Sequence, residues 1–407
     1  MPPPPGFLRA NAPWLAAGAL MAFSSSYGQT YFISVFAGAI RGEFGLSHAT
    51  WGAIYSAGTL VSAGLMIFAG GMTDRMRVRT LGALILGLLA LACLAMAAVP
   101  AAWALVPVIL SLRFAGQGMS GHIATTAMAR WFVATRGRAL AVATLGFALG
   151  EALLPAAFVA GLTVLPWRAL WVTAAGLALV AIPLLYLLLG RERTPQSLPD
   201  SAQVPGLQGR HWTRGETLRH PLFWASVPLI LGPAAFITAL FFQQVHLAEA
   251  KGWTHLQFVA LFPVYTAVSI AAMVGSGLLI DRIGTPLLMQ VFQVPLVAGF
   301  VLMGVSDGLV AGGVAMALIA ATQGANTTLP TAFWADFFGT RHLGAIRALA
   351  AAIMVLGTAI GPVLTGGLID LGVPFDRQMP VIALYSVATT GLIAAALAAS
   401  GRPARSA

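Results

Sequence analysis

Long apolar runs alternate with short polar connections along almost the whole 407-residue chain. They fall at 13–38, 50–71, 79–99, 102–129, 138–162 and 168–189, and again at 222–248, 257–280, 285–306, 308–334, 343–370 and 378–399. About 20 apolar residues carry a helix across a hydrocarbon core of about 30 Å. The pattern therefore predicts twelve membrane-spanning helices in an all-α fold. Gly and Pro within several runs fit such helices, where neighbours satisfy the freed backbone groups. The first run is too long for a signal-peptide core and has no clear small-residue cleavage site, so it reads as a retained span. The longest polar stretch, Gly190 to His220, is rich in Pro, Gln, Ser and Arg. It divides the chain into a six-helix bundle at 1–189, a cytoplasmic linker at 190–221 and a second bundle at 222–407.

Composition supports the lipid environment. Hydrophobic residues make up 58% of the chain and charged residues 8%, with a mean hydropathy of +0.86. Soluble domains carry about 25% charged residues. The net charge of +10 does not indicate nucleic acid, because the basic residues are scattered between apolar runs rather than gathered on one face. With both termini inside, seventeen of the 22 basic residues fall on cytoplasmic segments, four (Arg41, Arg168, Lys251 and Arg377) on the external side, and Arg113 within a span. This positive-inside bias orients the protein in a cytoplasmic (inner) membrane. The single cysteine, Cys93, excludes an intramolecular disulfide. There is no phosphate-binding loop, metal-ligand cluster or nucleophile constellation, so neither an enzyme nor a bound cofactor or metal is expected.

The two halves are related. At an offset of 207 residues, Gly45, His48, Ser62, Gly70, Asp74 and Arg75 meet Gly252, His255, Ser269, Gly277, Asp281 and Arg282. One ungapped register with six identities implies a parallel repeat of two six-helix halves, a known transporter plan. His48 and His255 are expected to cap external helix starts.

The segment Gly70-Gly-Met-Thr-Asp74-Arg75-Met-Arg77-Val-Arg79 resembles the signature loop between spans 2 and 3 of the major facilitator superfamily. Gly277-Leu-Leu-Ile-Asp281-Arg282-Ile-Gly284 is its second copy. Arg77 stands where glycine is usual, and the second copy lacks the trailing basic residues. The resemblance implies a monomeric secondary transporter in which Asp74, Arg75, Arg79, Asp281 and Arg282 gate the cytoplasmic side. In this family the loop carboxylate pairs with arginines and helix ends across the interface between halves. The alternative is that these charges only set topology. Ala129-Arg130-Trp131-Phe132, Arg136-Gly137-Arg138-Ala139-Leu140, Gly146, Gly150 and Trp167-Arg168 further resemble the monocarboxylate and oxalate/formate branch. The opening that this branch often shows in span 1 and its charged pair in span 8 are missing. Span 5 lacks the Gly-Pro pattern of proton-driven drug antiporters, and the Gly357/Gly361-Pro362 string of span 11 reads as close helix packing.

Two ionisable residues lie deep in spans. Arg113 is about 11 residues from the outside, roughly 16 Å, and Glu151 about 13 residues from the inside, roughly 20 Å. Their depths nearly coincide, and either charge costs about 2.5–3.5 kcal/mol there. Arg113 is a candidate for binding a carboxylate through its planar donors, and Glu151 for carrying a proton. A fixed Arg113–Glu151 pair that only braces the amino half is the other reading. Tyr27, Tyr31 and Ser34 occur at i, i+4 and i+7, a stripe suited to a wet cavity. With Gln29, and with Gln243 and Asn326 of the second half, Tyr27 and Tyr31 are candidate substrate-binding residues; interhelical hydrogen bonding is the plainer role. His122 is a second candidate proton site, though a lone histidine there more often serves packing. The expected function is alternating-access transport of a small, monocarboxylate-like organic anion, by proton symport. A proton-driven exporter of drugs or metabolites is the alternative. A membrane-embedded receptor or enzyme would need a catalytic cluster or a large extramembrane domain.

Overall fold

The computed structural model describes residues 6–132, 135–191 and 205–400, and the side chains of Asp74, Arg136, Ala345 and Ala348 lie outside this description. The chain is all-helical across the described residues. It divides into two compact units, Met1–Asp200 and Ser201–Ala407.

In unit 1, span 2 is His48–Ala69, span 3 Val78–Ala97, span 4 Ala102–Trp131, span 5 Gly137–Gly161 and span 6 Trp167–Leu188. In unit 2, span 7 is Pro221–Phe242, span 8 His255–Ile283, span 9 Thr285–Val305, span 10 Leu309–Phe338, span 11 Leu349–Asp370 within a longer helix from Leu343, and span 12 Phe375–Ser400. These eleven helices are long and apolar enough to cross a membrane. The twelfth rod, span 1, is built in pieces: Phe7–Ser24, Ser25–Gly28, Thr30–Ile33, Ser34–Phe36 and Ala37–Phe44. The two six-span units thus make the twelve-helix architecture that the apolar runs predict.

The 207-residue register holds at the level of backbone geometry. Gly45 and Gly252 both end a helix with positive φ, 62° and 67°. Ser47 and Thr254, also 207 apart, accept hydrogen bonds from the Thr50 and Gln257 amides at the next helix starts. The caps are therefore these hydroxyls; His48 and His255 are the first helical residues after them. A hydroxyl oxygen accepts the orphan N–H of the first turn more readily than an imidazole one position further on.

Close packing against lipid-facing helices comes from small residues, as membrane interfaces favour. A Cβ on Gly146 or Gly361 would lie 2.1 Å from the carbonyl oxygen of Ala19 or Ala235, respectively. In each unit, then, span 5 or its repeat, span 11, rides on the backbone of span 1 or its repeat, span 7.

Part of the polar stretch before span 7 packs onto unit 2. Leu207 and Trp212 are buried in the core that Phe223, Phe333, Phe337 and Phe338 share in unit 2. The Trp212 amide donates to the Phe338 carbonyl at 3.0 Å, and its ring meets His220 and Phe338 edge-on. Thr213 and Glu216 form a capping box, and the His220 Nδ1 accepts from the Leu222 amide to start span 7. Partial burial holds the His220 imidazole below the usual histidine range.

Candidate functional site

The centre of unit 1 is built on two helix defects. Span 1 meets a run of three serines followed by Tyr27, Gly28 and Gln29. Serine hydroxyls compete for backbone groups, and the Ser25 Oγ donates back to the Ala22 carbonyl at 2.6 Å. Glycine adds the entropic weakness. The helix tightens over Ser25–Gly28 and breaks at Gln29, which is extended at φ −84°, ψ 153°. The Phe32 amide then bonds the Gln29 carbonyl, so the Gly28 carbonyl loses its partner within the helix. Opposite it, span 4 widens into π-helical turns over Arg113–Ser120. Such bulges concentrate at functional sites. Here the two defects interlock. A Cβ on Gly28 would lie 2.1 Å from the Leu112 carbonyl oxygen, and one on Gly116 would lie 2.6 Å from the Gly28 Cα.

Arg113 opens the π segment and is 1% exposed. Its Nη1 donates to the freed Gly28 carbonyl at 3.0 Å. Its guanidinium carbon sits 5.2 Å from the centre of the Tyr55 ring. Tyr55 is itself held by a 2.5 Å hydrogen bond with Thr30, just past the break. The Arg113 Nε and Nη2 are buried and have no hydrogen-bond partner among the described residues. These two N–H groups point the same way and form the side-on fork of the guanidinium, the edge that takes a carboxylate in two parallel bonds. Among the described residues no carboxylate accepts a hydrogen bond from the Arg113 Nε or Nη2.

Glu151 is 9% exposed, on the turn of span 5 that packs against the same broken stretch. A Cβ on its neighbour Gly150 would lie 2.0 Å from the Ser26 Oγ. Tyr31 donates to that Ser26 Oγ at 2.9 Å. The Tyr31 ring meets Phe147 edge-on at 5.9 Å. Phe147 and Glu151 share a face of span 5 at i, i+4, so the Tyr31 ring packs one helical turn from Glu151. The break in span 1 thus touches Arg113 and the Glu151 turn within six residues, Ser26 to Tyr31.

The other candidates fall elsewhere. Tyr27 does not continue a stripe with Tyr31 and Ser34, because the extended Gln29 resets the helical phase. Its ring meets Phe32 edge-on. Gln29 is half-buried at the break. His122 belongs to the loop between spans 2 and 3: its Nε2 lies 3.1 Å from the Gly70 carbonyl oxygen. It stands nine residues along span 4 from Arg113, about 13 Å.

In the signature loop, the Arg130 Nη1 donates to the Thr73 carbonyl at 2.9 Å, and Arg79 lies over the Tyr186 ring at 5.1 Å. Arg75 is exposed, and the side chain of Asp74 lies outside the described residues. The second loop turns on Gly284, at φ 82°, a left-handed value that favours glycine. Arg77, 207 residues earlier, is extended at φ −65°, ψ 138°, so a non-glycine residue fits there. Asp281 and Arg282 are exposed at the end of span 8.

In unit 2, Gln243 sits at the end of span 7, and its Nε2 donates to the Thr365 Oγ1 at 3.3 Å. Asn326 ends the first helical stretch of span 10, and its buried Oδ1 has no partner among the described residues. No group of His, Cys, Asp and Glu among the described residues makes a metal site.

Sequence reasoning singled out Arg113 but missed both defects that position it. The signal for them was present in the serine run before Gly28 and in the glycine pair Gly116 and Gly118.

No curated protein sequence matches this chain. Solved structures do match its fold. A bacterial homologue of the human lysosomal transporter Spinster, in an inward-facing unoccupied conformation, is 16% identical with a TM-score of 0.71; the match covers 95% of this chain and 96% of that one. The nucleoside transporter NupG is 15% identical with a TM-score of 0.70, over 94% of this chain and 100% of that one. The sequence profile of the Major Facilitator Superfamily spans residues 18–362. The chain is a multi-pass membrane transporter rather than an enzyme, and it belongs to the Major Facilitator Superfamily.

Proposed function

We propose that this protein moves a small organic anion of the monocarboxylate type across the cytoplasmic membrane by alternating access, coupled to proton symport. The observation that carries this reading is the Arg113 fork. The guanidinium is buried, Nη1 is satisfied by Gly28, one face is covered by Tyr55, and Nε and Nη2 remain without a protein acceptor. A buried charged donor left unsatisfied costs several kcal/mol. A transported carboxylate would remove that cost by taking both bonds. Glu151 is the carboxyl that carries the proton, and Gln29 supplies a further polar contact to the cargo. The orientation that best fits the positive-inside bias places both termini in the cytoplasm, with the two signature loops and their Asp74, Arg75, Arg79, Asp281 and Arg282 as the gate on that side. The transporter works as a monomer.

Reconstitution of the full chain in liposomes tests the reading. Radiolabelled formate, lactate and oxalate are supplied with and without an inward proton gradient. At least one is expected to accumulate, and Arg113→Leu is expected to abolish its uptake while inserting normally. Flat uptake of all three, or full uptake by Arg113→Leu, refutes the organic-anion reading.

A further inference from the structure

The broken stretch of span 1 touches both Arg113 and the turn that carries Glu151. Arg113 holds it at the Gly28 carbonyl, 3.0 Å away. Span 5 holds it at Ser26, where Gly150 leaves room for no side chain. The Tyr31–Ser26 hydrogen bond closes the stretch on itself, from one side of the Gln29 break to the other. Tyr31 also carries the ring contact with Phe147, one helical turn from Glu151 on the same face of span 5. A change in the pull of Arg113 on Gly28 therefore reaches Glu151 through six consecutive residues.

Other titratable groups on the elements packed against span 5 are engaged elsewhere. The elements packed against span 5 carry Arg9, Tyr27 and Tyr31 from span 1 and His122 and Arg130 from span 4. Arg9 is near the far end of span 1. His122 and Arg130 are tied to Gly70 and Thr73. Tyr27 packs edge-on against Phe32. Tyr31 meets span 5 through Phe147, one turn from Glu151.

We infer that Tyr31 is a coupling residue rather than a cargo contact: the Tyr31–Ser26 bond links anion binding at Arg113 to proton binding at Glu151. This rests on the function proposed above. In the empty protein the undiluted charge of Arg113 draws in the Gly28 carbonyl. A carboxylate on the Nε/Nη2 fork neutralises that charge and weakens its hold on Gly28. The stretch relaxes, Tyr31 shifts against Glu151, and the carboxylate of Glu151 takes a proton from the side on which the anion entered. On the other side both leave. The only bond made and broken is the Glu151 O–H, and the proton comes from solvent and returns to it.

The test uses the full-length protein in liposomes and the carboxylate that the wild type accumulates best from formate, lactate and oxalate. Two quantities separate coupling from binding. Counterflow exchange at equal pH needs binding and movement only; accumulation driven by a proton gradient needs coupling. Tyr31→Phe is expected to keep counterflow within about twofold and to lose at least tenfold in gradient-driven accumulation. Ser26→Ala removes the acceptor with little change of volume and is expected to do the same if Tyr31→Phe does not fold. Wild-type accumulation in Tyr31→Phe overturns the inference, and so does a parallel loss of counterflow and accumulation in a folded variant. One further measurement needs no variant. Adding the same carboxylate to unbuffered, detergent-solubilised wild type is expected to raise the pH, as Glu151 takes up a proton. No proton uptake on saturation overturns the coupling. If none of the three carboxylates is transported, the organic-anion reading fails instead, which these outcomes keep distinct.

Discussion

Replacing Gly28 by alanine tests the interlock of spans 1 and 4. The added Cβ would stand 2.1 Å from the Leu112 carbonyl oxygen and 2.8 Å from the Gln117 nitrogen and Gly116 Cα, against 3.4–4 Å for ordinary contact. All three atoms are backbone, so no side chain can swing away, and the spans must part by about 1 Å in a close-packed interior. Overpacking of this kind costs about 1–3 kcal/mol. Parting the spans also stretches the bond from the Arg113 Nη1 to the Gly28 carbonyl, 3.0 Å at present. A hydrogen bond to a charged group contributes about 1.5–3 kcal/mol. Together the change destabilises unit 1 by about 2.5–6 kcal/mol, which corresponds to a fall in Tm of roughly 5–24 °C. The assay is thermal unfolding of detergent-purified protein followed by tryptophan fluorescence. Gly64→Ala is the control, because its Cβ would meet nothing within 4 Å. It is expected to leave Tm unchanged or raise it slightly, since alanine lowers the entropy of the unfolded chain. A Gly28→Ala protein that melts with the wild type would refute the reasoning, because the close approach would then be free to relax.

Two further substitutions probe the ends of the units. The Arg168 guanidinium, then the Trp167 indole, hold the Glu43 carboxyl below the usual glutamate range. A depressed folded-state pKa adds stability that is present above the unfolded value of about 4.3 and is lost as pH falls through the folded value. The Tm of the wild type is therefore expected to drop faster below about pH 4 than that of Glu43→Gln; parallel acid limbs would show that the clamp is not linked to folding. Trp212→Ala empties a site that is 9% exposed against Phe338 and His220. Loss of a buried tryptophan costs up to about 3–5 kcal/mol, and trypsin is expected to cut sooner at Arg210, Arg214 or Arg219. Unchanged cleavage times would mean that the segment is not held by this ring.

Much of this architecture is legible in the sequence, because lipid imposes a length on every apolar run. The structural spans begin and end within a few residues of the runs. The repeat register is legible further, down to the paired left-handed glycines at 45 and 252. Span 1 is the exception. Its apolar length predicts one helix, whereas the serine run and Gly28 break it at Gln29. A hydropathy pattern does not distinguish the two, since hydroxyl and glycine residues are tolerated in an intact spanning helix as well. The same limit governs the site. The depth of Arg113 can be counted along span 4, and depth suggested Glu151 as its neighbour. Its acceptor is instead a backbone carbonyl 85 residues away in the chain. A carbonyl has no residue type, so no pattern of letters marks it. The packing of Leu207 and Trp212 is hidden for a related reason: Pro, Gln, Ser and Arg surround them, and two buried residues in a polar stretch do not make a run.

The asymmetry between the units follows from one charge. Moving 207 residues along the chain replaces Arg113 by Ala320, Glu151 by Thr358 and Gly28 by Ala235. Where unit 1 is broken or widened, unit 2 is regular: span 7 runs as α-helix from Pro221 through Ala235 to Phe242, and span 10 from Leu309 through Ala320 to Asn326. A guanidinium brings five donors and no acceptor, and in an apolar bundle nearly every backbone acceptor is already used within its own helix. A helix must therefore give up a carbonyl for the arginine to be housed at all. Span 1 gives up that of Gly28, and the lack of a Cβ there and at Gly116 lets the two backbones meet. Without a charge at position 320, nothing compensates the cost of opening span 7, and it stays closed. The helix defects are thus the means by which the fold tolerates Arg113. Because one freed carbonyl satisfies only Nη1, the same means leaves Nε and Nη2 for a ligand.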